Sequence, residues 1–114
     1  MSAITTHVLD TSLGKPAAGV AIELELQGKG GAWTRLGAGK TDSDGRLRTL
    51  LPAGAPVQAG TYRLSFDTGA YFAAQGMSAF YPEVRIAFAA EAAGGHYHVP
   101  LLLSRFGYST YRGS

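Results

Sequence analysis

Three stretches of this chain alternate apolar and polar residues with a period of two. Val20, Ile22, Leu24 and Leu26 alternate with Ala21, Glu23 and Glu25; Tyr62, Leu64 and Phe66 alternate with Arg63, Ser65 and Asp67; Val84, Ile86 and Phe88 alternate with Glu83, Arg85 and Ala87. Successive side chains of a strand point to opposite faces, so each stretch reads as a half-buried strand with one face on a core. Turn chemistry lies between them. Lys29-Gly30-Gly31 reads as a hairpin turn before Trp33-Thr34-Arg35-Leu36, and Asp42-Ser43-Asp44-Gly45 pairs a self-bonding aspartate with a glycine that accepts positive φ. Residues 96–103 and 108–112 supply the last two strands, after a small-residue loop over 89–95. Helix formers gather over residues 68–75, bracketed by Gly69 and Gly76. Seven to eight short strands with turns between them predict an all-β sandwich with one short helix. Pro100, inside an otherwise strong strand, predicts an edge position or a bulge.

With 114 residues and no internal linker or repeat, the chain is expected to form one domain over 1–114. Cysteine is absent, which removes a disulfide framework, a thiol nucleophile and a thiolate metal site, and fits a reducing compartment. No stretch approaches the roughly 20 apolar residues of a membrane span, and no basic-then-apolar leader opens the sequence. A soluble, cytoplasmic protein that engages no membrane is the expectation. The net charge of +2 comes from singly scattered cations such as Lys15, Arg35, Arg48 and Arg85. Without a basic run or helix face, nucleic acid is not an expected partner, whereas a small anionic substrate could use one or two of them.

The histidines carry the most chemistry. His96 and His98 are two apart on a strand and emerge on one face, with Tyr97, Val99, Leu101 and Leu103 on the other. That spacing is compatible with a metal pair with His7 as a third imidazole, but it is a weak signal, and two strand histidines facing solvent or a subunit contact are the more common case. His7 shares a face with Thr5 and Leu9, away from Ile4, Thr6 and Val8. Arg46 follows the Asp-Gly turn, and Tyr111-Arg112-Gly113-Ser114 runs straight out of an apolar, aromatic strand, so the tail is expected to be tied down. Other mechanisms are poorly supplied. Gly28-Lys29-Gly30-Gly31 sits in a hairpin rather than between a strand and a helix, and neither Ser104 nor Ser109 has a nucleophile elbow.

Four motifs in order span nearly the whole chain: Thr5-Thr6-His7-Val8-Leu9-Asp10-Thr11, Thr41-Asp42-Ser43-Asp44-Gly45-Arg46, His96-Tyr97-His98-Val99-Pro100-Leu101 and Tyr111-Arg112-Gly113-Ser114. Together they resemble the transthyretin-related family of 5-hydroxyisourate hydrolases. The resemblance implies a transthyretin-like (prealbumin-like) sandwich. It implies hydrolysis of 5-hydroxyisourate to 2-oxo-4-hydroxy-4-carboxy-5-ureidoimidazoline by general acid-base activation of water, with no cofactor and no metal. It also implies a homotetramer, a dimer of dimers, with sites where dimers meet across a central channel. The family's catalytic positions match His7, Arg46, His98 and Ser114, and its substrate contacts match His7, Arg46, Tyr111, Arg112 and Gly113. On that basis His98 is the expected base, His7 orients water or shares the proton, and Arg46 clamps substrate or oxyanion. Ser114 and the terminal carboxylate orient substrate or water, while Tyr111 and Arg112 shape the pocket. Carrier relatives lack this set, which leaves a transthyretin-like carrier without turnover as the alternative. The family commonly has Ser-Pro before the last strand, where this chain has Ser104-Arg105.

Overall fold

A computed structural model describes residues 2–114 of the chain. Nine strands are present among the described residues: β1 (Ile4–Asp10), β2 (Lys15–Pro16), β3 (Ala21–Gln27), β4 (Trp33–Lys40), β5 (Arg46–Leu47), β6 (Gly60–Phe66), β7 (Val84–Ala90), β8 (Tyr97–Leu103) and β9 (Tyr108–Thr110). Seven are three residues or longer, in line with the expected seven to eight; β2 and β5 are two-residue pairings too short to leave a periodic signal. A 3₁₀ turn at Lys29–Gly31 closes the β3–β4 hairpin where the glycines predicted it. The helix α1 (Thr68–Ala73) starts where Asp67 accepts the Ala70 N–H, and it buries Thr68 and Phe72.

One sheet runs β2-β1-β8-β9, the other β4-β3-β6-β7. β1 and β8 are parallel; their register sets Thr5 beside His98 and His7 beside Pro100. Along its other edge β1 meets two short partners end to end. β5 pairs Thr6 with Leu47 and His7 with Arg46, and β2 pairs Leu9 with Pro16 and Asp10 with Lys15. Val8 lies between them, its N–H donating to Gly45 O at 2.7 Å and its carbonyl accepting from Ala17 N at 2.9 Å. The core between the sheets is built from the predicted alternating positions. Val20, Ile22, Leu24, Tyr62, Leu64, Phe66, Val84 and Ile86 face Ile4, Val8, Leu101 and Leu103, with Phe72 from the helix. Each such side chain contributes about 1.5 to 3 kcal/mol by leaving water. The polar alternates of β3 and β6 meet on the outer face, where Glu25 and Arg63 pair at 2.9 Å and the Arg63 guanidinium lies 4.1 Å from the Trp33 ring centre.

Pro100 and several element ends differ from expectation, among them α1, which ends at Ala73 rather than at residue 75. Pro100 occupies neither an edge nor a bulge, since β8 lies between β1 and β9. The β8–β9 register pairs Leu101 with Thr110 and, beyond a gap, His98 with Gly113, which sets Pro100 opposite Tyr111. Antiparallel ladders alternate bonded and non-bonded pairs, so Pro100 falls where a donor toward the tail is missing. Its carbonyl is taken instead by the Thr110 hydroxyl at 2.7 Å. The terminal strand therefore ends at Thr110 rather than at residue 112. β8 begins at Tyr97, one residue after His96, and β7 extends to Ala90, into the expected loop. Arg105 has a structural use: its Nε donates to Ser78 O at 2.8 Å and its carbonyl accepts the Phe80 N–H at 2.8 Å, tying the β8–β9 turn to the segment before β7.

Candidate active site

Paired residues of adjacent strands share a face, so the registers bring Thr5, His7, Arg46 and His98 onto one side of the β1 sheet. Arg46 is held there by the turn before it. Asp42 Oδ1 accepts the backbone N–H of Asp44 at 2.9 Å and of Arg46 at 3.0 Å. The Arg46 bond is the main reason the Asp42 carboxyl titrates below its ordinary value. Gly45 makes the turn at φ +75°. From the opposite side the tail returns along β8, and Gly113 N–H donates to His98 O at 2.8 Å.

These elements enclose a cleft of about 210 Å³ lined by Thr5, Thr6, Arg46, Arg48, His96, His98 and Ser114. No Asp or Glu side chain is among those lining residues, while two guanidiniums are, which favours an anionic, carbonyl-rich occupant. The His96 and His98 rings stand 6.3 Å apart at 18° to one another, and both reach the Thr5 hydroxyl, His96 Nε2 at 3.0 Å and His98 Nδ1 at 2.8 Å. Burial pushes the His98 pKa below its ordinary 6.5, and the nearby charges of His96, Arg46 and His7 push it the same way. His98 is therefore neutral at pH 7, with a lone pair available for a proton.

Of the residues singled out in the sequence, Arg46, His98 and Ser114 meet in the cleft. His7 is the cross-strand neighbour of Arg46 and lies outside the lining. Tyr111 and Arg112 line a second, mostly apolar cavity of about 250 Å³ together with Ile86, Phe88, Tyr97 and Val99; His98 is common to both cavities. There the Arg112 guanidinium lies 4.7 Å from the Tyr97 ring centre. Gly113 packs against the His98 ring. Among the described residues no group of three or more His, Cys, Asp or Glu is placed to hold a metal ion. Thr5, Thr6 and Arg48 went unremarked as site residues in the sequence. The signal for Thr5 was available, because it shares a strand face with His7; nothing marked Arg48.

The family model described as HIUase/Transthyretin family matches residues 4–113. The 5-hydroxyisourate hydrolase of Salmonella typhimurium is 50% identical over 111 residues, covering 97% of this chain and 80% of that protein. The solved structure of Klebsiella pneumoniae 5-hydroxyisourate hydrolase superposes with a TM-score of 0.84 at 38% identity, covering all of both chains. Transthyretin from Sparus aurata superposes with a TM-score of 0.91 at 35% identity, covering 99% of this chain and 97% of that one. With its sandwich, its converging motifs and these likenesses, the chain belongs to the HIUase/transthyretin family.

Proposed function

We propose that this chain is a 5-hydroxyisourate hydrolase of urate degradation, adding water to a ring carbonyl of its substrate and cleaving the adjacent C–N bond to give 2-oxo-4-hydroxy-4-carboxy-5-ureidoimidazoline. The observation that carries the reading is joint: half-identity to a hydrolase of that name over 97% of the chain, and a cleft where Arg46, His98 and Ser114 converge.

Opening a cyclic amide at neutral pH needs a base for water, a donor for the developing oxyanion and a proton for the departing nitrogen. In the proposed step His98 takes a proton from water as the oxygen attacks the carbonyl carbon. The displaced C=O electron pair collects on the carbonyl oxygen, to which the Arg46 guanidinium donates. When the carbonyl re-forms, the C–N bond breaks and the nitrogen takes the proton back from His98. Such acid-base help is worth about 10² to 10⁴ in rate. A preorganised donor at the oxyanion is worth about 3 to 4 kcal/mol. His7 orients the water or shares the proton from beside Arg46, and the Ser114 hydroxyl orients substrate. Gly113 seats the tail, and Tyr111 and Arg112 back His98 from the apolar side. The step uses protein groups and water alone.

A carrier without turnover is the second reading, favoured by the 0.91 TM-score to transthyretin. Backbone likeness at 35% identity reports the fold that both readings share; the difference lies in the site. The ultraviolet decay of freshly generated 5-hydroxyisourate decides between them. Fast decay with the intact chain and spontaneous decay with a chain lacking Tyr111-Arg112-Gly113-Ser114 is the expected result. Spontaneous decay with both, alongside stoichiometric ligand binding, hands the protein to the carrier reading.

The proposal extends to assembly as a homotetramer. β7 and β9 are sheet edges, and Phe80, Phe106, Tyr108 and Tyr111 are exposed, a combination that a second copy would cover. Light scattering at micromolar concentration tests it, and a monomer refutes it. A single domain over 1–114, unfolding in one transition, and a cytoplasmic location complete the proposal; calorimetry and cell fractionation check them. No helix of the described residues is long and apolar enough to cross a membrane.

A further inference from the structure

We propose that Thr5 is a positioning residue that fixes the tautomer of His98, donating its own hydroxyl proton to His96 and accepting the Nδ1–H of His98, so that His98 presents a bare Nε2 to the cleft. The choice of tautomer and its effect on turnover rest on the hydrolase reading; the sharing of one hydroxyl by the two rings does not.

The geometry forces a choice. Thr5 is 3% exposed and held in register beside His98. Its Oγ1 lies within hydrogen-bond distance of two ring nitrogens, His98 Nδ1 at 2.8 Å and His96 Nε2 at 3.0 Å, and these are its side-chain partners among the described residues. A hydroxyl carries one proton, so it can donate to one ring only, and the other ring must offer an N–H. If both rings donated, the buried O–H would be left without an acceptor, an arrangement that folded proteins avoid. Two arrangements remain. Thr5 donates either to His96, with His98 protonated at Nδ1, or to His98, with His98 protonated at Nε2.

The base role proposed for His98 selects the first. Nδ1 of His98 faces Thr5, and Cδ2 on the other side faces Gly113, which leaves the Nε2–Cε1 edge as the ring's free end. A base must carry its lone pair at that end, since Nδ1 is already engaged. His96 is exposed, so the Nδ1–H it needs when its Nε2 accepts from Thr5 is met by water. The near-parallel rings, 18° apart, let one hydroxyl serve both. In the other arrangement the free end of His98 carries a proton and the cleft has no imidazole base at that position. The role resembles that of a group that holds a catalytic imidazole in one tautomer.

The test is the ¹⁵N spectrum of the histidine side chains of the intact protein, at a pH where the rings are neutral, with His98→Gln assigning the signals. His98 and His96 are both expected as Nδ1–H tautomers. Thr5→Val, which keeps the shape and removes the hydroxyl, should shift His98 toward Nε2–H. It should also lower kcat by about 10- to 100-fold, the range found for outer partners that orient ligating histidines, with KM little changed. Thr5→Ser should restore both. A wild-type His98 protonated at Nε2, an unchanged kcat in Thr5→Val, or a Thr5→Ser as impaired as the valine variant overturns the proposal. Should Thr5→Val fail to fold, the wild-type spectrum decides alone. If the wild-type protein proves inactive, the hydrolase reading falls while the spectra still decide the hydroxyl arrangement.

Discussion

Gly113 is bridged to His98, and the contact leaves no space for a side chain. Its N–H donates to the His98 carbonyl at 2.8 Å, and a Cβ built on it would stand 2.6 Å from His98 Cδ2 and 3.2 Å from Pro100 Cγ. Its φ is not positive, so glycine is needed here for clearance rather than for backbone freedom. The same bridge leads into Ser114, which lines the cleft, so one close approach positions both the imidazole flank and the tail hydroxyl.

Gly113→Ala should therefore separate activity from stability. The methyl group displaces either the tail or the His98 ring by a fraction of an ångström to an ångström, and misplacement on that scale can cost about 10²-fold in rate. The tail belongs to no core cluster, so the melting temperature should barely move. Steady-state 5-hydroxyisourate hydrolysis with parallel thermal melts checks this; a fully active variant would mean that the bridge does not hold the site.

The pH dependence follows from the His98 surroundings. Burial and the charges of His96, Arg46 and His7 all lower its pKa from 6.5, so the base is neutral at pH 7 and the acid limb of kcat/KM falls below pH 6.5. Because folding depresses this pKa, the unfolded chain binds the proton more readily. The associated stability is present above pH 6.5 and is lost as pH falls through the lower folded value. Arg46→Gln removes one of the cationic contributions and should raise the His98 midpoint. An NMR titration of the ring shows this even if the variant is inactive, and an unchanged or lowered midpoint would contradict it.

Gly45 supports the other wall of the cleft. It sits at φ +75°, where a Cβ would run into Val8 O and stand 3.0 Å from Pro16 Cβ. Its carbonyl receives the Val8 N–H, and Arg46 follows it in the chain. A side chain in the left-handed region costs about 1 to 3 kcal/mol before the collision is added. Gly45→Ala should lower stability in urea by at least that amount and raise KM by shifting Arg46. A variant as stable as wild type would mean that the turn rearranges freely.

The residues that alternate with period two were legible as core strands because their register is set by burial: a one-residue slip would expose Ile22, Leu64 and Ile86 together. The pairings β2 and β5 were not legible, since two residues carry no period, yet β5 is what delivers Arg46 to His7. Pro100 was misread for a related reason. A missing donor excludes pairing only on the side that donor faces, and that side is known only once the neighbouring strands are. That His98, Arg46 and Ser114 would meet was implied by the family resemblance of the four motifs, and the three line one cleft; alone, each spacing was a weak signal. Thr5 was harder to see, because its importance arises from a parallel pairing with a strand more than 90 residues away. The split that sends Tyr111 and Arg112 to the apolar cavity also depends on three-dimensional placement, here the Arg112 stack on Tyr97.

A buried clamp away from the cleft gives a control on all of these. Asp10 is 1% exposed; its Oδ1 accepts the N–H groups of Ser12 and Leu13 at 3.0 and 3.2 Å, and its Oδ2 accepts the Tyr71 hydroxyl at 2.8 Å, joining α1 to the end of β1. Burial first, and the Asp10 bond second, push the Tyr71 pKa up to about 12. Tyr71→Phe removes a hydrogen bond to a carboxylate, a change worth about 1.5 to 3 kcal/mol, and should leave kcat and KM as they were. The sign of its pH dependence is fixed. A raised folded pKa means that the stabilisation is whole below the ordinary value of 10.0 and fades as pH rises toward 12. The stability gap between wild type and Tyr71→Phe, measured by urea unfolding, should thus be constant near neutrality and close between those two values. A gap that is absent at pH 7, or that widens in alkali, would show that Asp10 is held by its backbone donors alone.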